Sequence, residues 1–250
     1  MTDKMFAPAF AALLLLSASG ALAAEFPATL DWSGKVSLTL SVSGVLDNVA
    51  ARSGQTVRKG EVLASLEPTL FKAAVAESRA DLDRLTEEHA DARRDLDRVQ
   101  ELYARTVSST TELDAAKLRF ARAQSGLAAA QARVERARRL LAESELRAPF
   151  DALILARHGE PGLVITSQCQ PSAVFSVARA DELAARAQLE AGQAGLVRLG
   201  GEADVVVGGK SVKGKVTGLS ALADGRYSLE VAIPRNAGML AGQPASVRLP

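Results

Sequence analysis

Ser43-Gly44-Val45-Leu46 followed by Gly54-Gln55-Thr56-Val57, and Asp151-Ala152-Leu153-Ile154 followed by Gly162-Leu163-Val164-Ile165, are two copies of one short pattern. Ten residues separate Gly44 from Gly54 and Ala152 from Gly162, and Val57 and Ile165 fall at matching offsets. Gly54 and Gly162 stand where a turn calls for a residue tolerant of positive φ. Strand-like pieces flank them: 36–42, 45–49, Val57 and 62–66 around the first copy, then Leu146-Arg147-Ala148-Pro149, 153–156, 163–166 and 174–177 around the second. Short strands with glycine turns, present twice, predict a small sandwich built from two similar halves.

About 80 residues separate the copies, and their period is helical. From 69 to about 105, Val75, Ser78, Leu82, Leu85, His89, Ala92, Leu96, Val99 and Tyr103 recur at alternating steps of three and four. The second run is Leu113, Ala116, Phe120, Ala123, Leu127, Ala130, Val134, Ala137 and Leu141. A sustained 3.5-residue period without proline is the coiled-coil signature. Each seam is two positions wide, so the helices bury a narrow stripe. Small residues at every other position of the second seam let an antiparallel partner approach closely. A turn is expected at 106–111, with Thr111 and Glu112 to Asp114 opening the second helix. A helix of about 37 residues would reach about 55 Å. The first helix is rich in acid and the second in arginine, which predicts solvated faces with weak i,i+4 and cross-hairpin pairs.

The segment 182–250 reads as a third unit. Strands are expected near 187–189, 203–207, 211–219, 227–233 and 245–249, separated by Gly192, Gly200-Gly201, Gly208-Gly209 and Asp224-Gly225. Such spacing implies a small barrel or sandwich. None of the glycine pairs precedes a helix, so they read as hairpin turns rather than phosphate cradles.

Composition excludes several function classes. Net charge is +1 and aromatics are 4%, so neither a field nor stacking platforms for nucleic acid are expected. Lys4, the apolar run 6–18 and Ala21-Leu22-Ala23 read as an export signal cleaved after Ala23; the alternative is an uncleaved membrane anchor. Cys169 is the only cysteine and cannot form an internal disulfide. His89 is expected as a core or rim residue of the seam, because no second ligand is spaced to join it at a metal. His89 and His158 lie in different units, without a nucleophile motif. No catalytic, cofactor or metal residues are assigned.

Between the helices the chain reads Arg98-Val99-Gln100-Glu101-Leu102-Tyr103-Ala104-Arg105-Thr106-Val107-Ser108-Ser109. Arg98 and Leu102 share a helical face, and Ser109 follows seven residues later at the turn.

The layout resembles the periplasmic adaptor subunits, or membrane fusion proteins, of tripartite efflux pumps and related exporters. The resemblance rests on Val42-Ser43-Gly44-Val45, on Gly54-Gln55-Thr56-Val57-Arg58-Lys59-Gly60-Glu61-Val62-Leu63, on Leu146-Arg147-Ala148-Pro149-Phe150-Asp151 and on Leu240-Ala241-Gly242-Gln243-Pro244-Ala245-Ser246-Val247-Arg248-Leu249. It implies an elongated, multidomain α+β fold: a signal peptide at 1–23, a split lipoyl-like β-sandwich at 24–67 and 146–181, an inserted α-helical coiled-coil hairpin at 68–145 and a β-barrel at 182–250. Ala152 stands where the family usually has glycine, and the family's membrane-proximal domain is expected to be absent. Arg98, Leu102 and Ser109 match the family's Arg-x3-Leu-x6-Ser docking pattern residue for residue. The implied partners are a TolC-like outer-membrane channel, an inner-membrane transporter of the resistance-nodulation-division type, and further copies of the chain in a trimeric or hexameric ring; an ABC-type exporter is the alternative transporter. Two other readings are a stand-alone periplasmic coiled-coil interaction protein and a lipoyl or biotinyl carrier. The carrier would need a modifiable lysine where the chain instead leaves Glu67-Pro68 for the helix, and Lys59 and Lys72 lack that setting.

Overall fold

The computed structural model describes residues 25–167 and 172–249. The export signal, its cleavage after Ala23, and Cys169 lie outside the described residues. The described residues form two compact units, one within Asp31–Ala184 with Pro234–Ala241, the other of 25–30, Ala185–Ile233 and 242–249.

The elements run β1 (Glu25–Trp32), β2 (Val36–Leu38), β3 (Gly44–Val49), β4 (Thr56–Val57), β5 (Val62–Leu66), α1 (Thr69–Ala104) and α2 (Thr110–Glu143). They continue with β6 (Glu145–Arg147), β7 (Ala152–Arg157), β8 (Val164–Ile165), β9 (Phe175–Arg179) and β10 (Glu182–Leu189). Then follow α3 (Ala191–Ala194), β11 (Glu202–Val207), β12 (Lys210–Ala221), β13 (Tyr227–Pro234) and β14 (Pro244–Arg248).

The repeated pattern becomes a sandwich of two four-stranded sheets, ordered β2-β9-β7-β4 and β6-β5-β3-β8. The two copies do not fold side by side; they interlock. β3 of the first copy pairs with β8 of the second, Gly44 opposite Ile165, while β4 pairs with β7, Val57 opposite Ala152. The hydrogen bonds obey the same exchange. Gly54 N–H donates to the Ile154 carbonyl at 2.8 Å, and its counterpart Gly162 N–H donates to the Leu46 carbonyl at 2.7 Å. Both glycines have positive φ, +84° and +89°, as the turn reading expects. Leu46, Leu63, Leu66, Ile154, Ile165, Phe175 and Val177 fill the space between the sheets. Ala152 is fully buried in β7, so its methyl is accommodated where glycine was the family's habit.

The helical hairpin is inserted between β5 and β6, and those strands pair with each other, Val62 opposite Arg147 and Ser65 opposite Glu145. The insertion is thus closed at its base by one short ladder, reinforced where Leu66 N–H meets the Ser144 carbonyl at 2.9 Å. Along the hairpin every expected seam residue of α2 is buried or half-buried, with Ala116, Ala123, Ala130, Val134 and Ala137 the deepest. On α1 the seam runs from Val75 to Val99; Tyr103 departs from it and is exposed, because α2 begins only at Thr110 and offers no helical surface opposite that last turn. His89 lies in the seam with its ring centroid 5.1 Å from that of Phe120.

In the other unit, β1-β10-β13-β12-β11-β14 close a barrel. The range 24–67 places β1 in the first half of the sandwich, and the structure places it in the barrel. Its Glu25 to Thr29 pair with Arg248 to Pro244 of β14, and Phe26, Ala28 and Leu30 point inward. Its residues alternate exposed and buried, and the buried face belongs to the barrel. Gly208 and Gly209, both at positive φ, turn β11 into β12, and Gly225 turns β12 into β13. Gly192 belongs to the short α3 rather than to an interstrand turn.

Gly214 of β12 answers to packing rather than to a turn. A Cβ there would lie 2.7 Å from Ile233 Cγ2, 2.7 Å from Val231 Cγ1 and 2.8 Å from the Ala232 carbonyl oxygen. All three belong to β13, so relief requires that strand to move. Gly214→Ala is expected to destabilise the barrel by about 1–3 kcal/mol, the usual cost of overpacking. Thermal unfolding measures it, and an unchanged midpoint would show that β12 and β13 separate without cost.

Candidate docking site at the hairpin tip

The tip is built by two helix ends that satisfy their own backbone. α1 closes with a Schellman arrangement: Val107 N–H donates to the Leu102 carbonyl at 2.9 Å, and Thr106 N–H to the Tyr103 carbonyl at 3.0 Å. That arrangement requires a left-handed residue, and the position is held by Thr106 at φ +61°, the only non-glycine residue with positive φ among those described. Glycine is the usual occupant; a β-branched side chain there is strained by about 1–2 kcal/mol. Thr106→Gly is therefore expected to stabilise the hairpin by about 1 kcal/mol, less the entropy glycine returns to the unfolded chain. A lower thermal midpoint in that variant would mean the threonine side chain makes a compensating contact.

α2 opens with a capping box. Ser109 Oγ accepts from Glu112 N–H at 3.2 Å, and Ser109 N–H donates to Glu112 Oε2 at 2.9 Å. The helix starts at Ser109-Thr110, not at Thr111 as the sequence reading placed it. The Ser108 hydroxyl also donates to Glu112 Oε2, at 2.6 Å. The Ser108 hydroxyl and the Ser109 amide hold the Glu112 carboxyl below its ordinary range.

These ends set out the three candidate residues. Arg98 lies on α1 about 9 Å along the axis from Ala104, where the helix finishes. Its side chain is 71% exposed and paired to Asp95. Leu102, one turn further on, is 38% exposed. Ser109 is exposed, but its oxygen already serves the cap. Two apolar neighbours are exposed as well: Tyr103, expected from its spacing to lie in the seam, and Val107, at 72%. The tip therefore offers a patch of Leu102, Tyr103 and Val107 with a guanidinium behind it. Among the described residues, no group of His, Cys, Asp and Glu could hold a metal ion, and no helix is long and apolar enough to cross a membrane.

Residues 35–179 match the family described as CzcB-like, barrel-sandwich hybrid domain. The chain belongs to that family. The match takes in both halves of the sandwich and the inserted hairpin, so the resemblance to membrane fusion proteins read from the sequence holds for family and fold. Solved structures agree on the fold. A MacA–MexA chimera containing the Pseudomonas aeruginosa MexA α-hairpin domain is 18% identical over 90% of this chain and 79% of its own, with a TM-score of 0.66. The membrane fusion protein Spr0693 from Streptococcus pneumoniae is 12% identical over 90% of this chain and 97% of its own, with a TM-score of 0.69. ZneB from Cupriavidus metallidurans is 18% identical, covering 90% and 96%, with a TM-score of 0.51. No curated protein sequence matches the chain.

Proposed function

We propose that this barrel-sandwich hybrid protein is a non-enzymatic periplasmic adaptor, exported by a cleaved signal. It joins an inner-membrane transporter of the resistance-nodulation-division type to a TolC-like outer-membrane channel for efflux of small molecules, and it self-associates in a trimeric or hexameric ring. The observation that carries this reading is the hairpin: helices of 36 and 34 residues that bury only a narrow seam and end in an exposed tip bearing Arg98, Leu102 and Ser109. Helices of that length, about 50 Å, exceed what one small core needs, so their length supplies reach. At the tip, the Arg98 guanidinium donates to partner carbonyls or carboxylates, Leu102 enters a groove, and Ser109 positions the turn.

The test is site-specific photo-crosslinking in cells from position 107, with captured partners identified by mass spectrometry. Position 107 serves better than Ser109, because replacing the cap would itself cost about 1 kcal/mol. Capture of an outer-membrane channel is expected. Capture of nothing but further copies of the chain would overturn the bridging role and leave a stand-alone coiled-coil protein. Co-purification of the full chain with its transporter separates the resistance-nodulation-division type from an ABC-type exporter.

A further inference from the structure

The tetrapeptide Asp-Leu-Asp-Arg occurs twice on α1, as Asp81-Leu82-Asp83-Arg84 and as Asp95-Leu96-Asp97-Arg98, fourteen residues apart. Fourteen residues are two heptads, so both copies present the same face to α2. The structure builds the same ionic rung from each. Asp81 is shared between Arg84 of its own helix and Arg133 of α2, and Asp95 between Arg98 and Arg119 of α2. Arg119 and Arg133 are also fourteen residues apart, so the rungs repeat across the antiparallel pair in one register.

The two rungs differ in two respects. Arg84 has a second carboxylate, Glu88, at 3.1 Å one turn further along. The equivalent place after Arg98 is Leu102. Arg84 therefore sits between two carboxylates, whereas Arg98 has a half share in one, and that one is also claimed by Arg119. Asp95 is the better buried aspartate, its side chain 16% exposed against 32% for Asp81. A guanidinium has five N–H donors in a fixed fork. At Arg98 one is spent on Asp95, on a side chain that is 71% exposed.

We infer that Asp95, gripped from α2 by Arg119, is the positioning residue that presents Arg98 to an acceptor on the docking partner, a carbonyl or a carboxylate. The inference rests on the docking reading above and adds that this presentation depends on the pairing of the two helices. The inner rung, whose arginine is held between Asp81 and Glu88, fastens the helices and is not the group presented to the partner.

The matched rungs supply the control. Asp95→Asn and Asp81→Asn each remove the carboxylate of one interhelical rung at matching heptad positions, and the thermal unfolding of both variants, with Asp95 the more buried of the two, gives the folding loss against which capture is read. Channel capture from the photo-crosslinker at position 107 in the full chain is then titrated against channel abundance. Asp95→Asn is expected to weaken capture about two- to tenfold, the ordering cost of one long side chain, whereas Asp81→Asn leaves it unchanged. In an Arg98→Ala background, Asp95→Asn should have no further effect, because the group it orients is gone. Capture undiminished by Arg98→Ala would overturn the docking reading and this inference with it. Capture lowered by Arg98→Ala but not by Asp95→Asn, lowered equally by Asp81→Asn, or lowered by Asp95→Asn even without Arg98, would overturn the inference alone.

Discussion

Proline at Leu127 is expected to unpair the hairpin, at a cost of about 3 kcal/mol or more. Leu127 is a half-buried seam residue near the middle of α2, between Ala123 and Ala130. Proline there removes the amide that would bond the Ala123 carbonyl, and its ring collides with that carbonyl. Its two neighbours along the seam, Ala123 and Ala130, bury little area, so few adjacent contacts can hold the two fragments in line. Helical ellipticity should fall substantially. Leu127→Ala, which keeps the backbone and shortens one side chain, should cost about 1–2 kcal/mol and leave the ellipticity nearly intact. Equal ellipticity in the proline variant and the parent would contradict the paired-helix structure itself.

Arg98→Asp is the second large effect, and it falls on docking rather than on folding. The new carboxylate stands one turn from Asp95, a like-charge spacing that costs a few tenths of a kcal/mol in an exposed helix. The Arg119–Asp95 pair and the seam are untouched, so ellipticity and melting should hardly change. At the partner, a donor of charged hydrogen bonds is replaced by an anion facing the same acceptor. Losses of that kind run to about 2–5 kcal/mol, which corresponds to a drop of about 30-fold or more in affinity. Capture from position 107 should fall accordingly. Undiminished capture or undiminished export would remove Arg98 from the docking site.

The parts of this molecule legible in the sequence are those encoded at short range. The seam from Val75 to Leu141 was readable because a 3.5-residue period is a local property, and the two sandwich halves because they repeat. The start of α2 was readable too, in Ser108-Ser109-Thr110-Thr111-Glu112, but four consecutive hydroxyl residues compete for the cap and only the backbone partnership of Ser109 with Glu112 decides among them. β1 was misplaced because an alternating strand carries no record of its partner, which here lies more than 200 residues away in β14. The clash that demands Gly214 arises between strands and leaves no trace in either one alone. At the tip, Arg98, Leu102 and Ser109 stood out by spacing. Thr106 did not, because threonine is a poor candidate for a left-handed position and nothing nearby announces the exception. Asp95 was one acid among many until its contact with Arg119 singled it out; the recurrence of Asp-Leu-Asp-Arg was the one available clue.

The ladder between β5 and β6 has a consequence for the order in which the chain folds. Joining those strands with a disordered insertion of almost 80 residues would cost about 4 kcal/mol of closure entropy, set against a three-pair ladder that cannot recover it. The hairpin's contacts are nearest its own turn, and such contacts form fastest. If α1 and α2 zip from Ser109 downward, Leu66 and Ser144 are delivered to each other and the interlocked sandwich closes without a long search. A capping mutation at the far end of the hairpin should then slow the folding of a β-domain it never touches. Stopped-flow refolding of Ser109→Ala, followed by the rate at which the sandwich forms, would detect this delay, and an unchanged rate would place sandwich closure ahead of the helices.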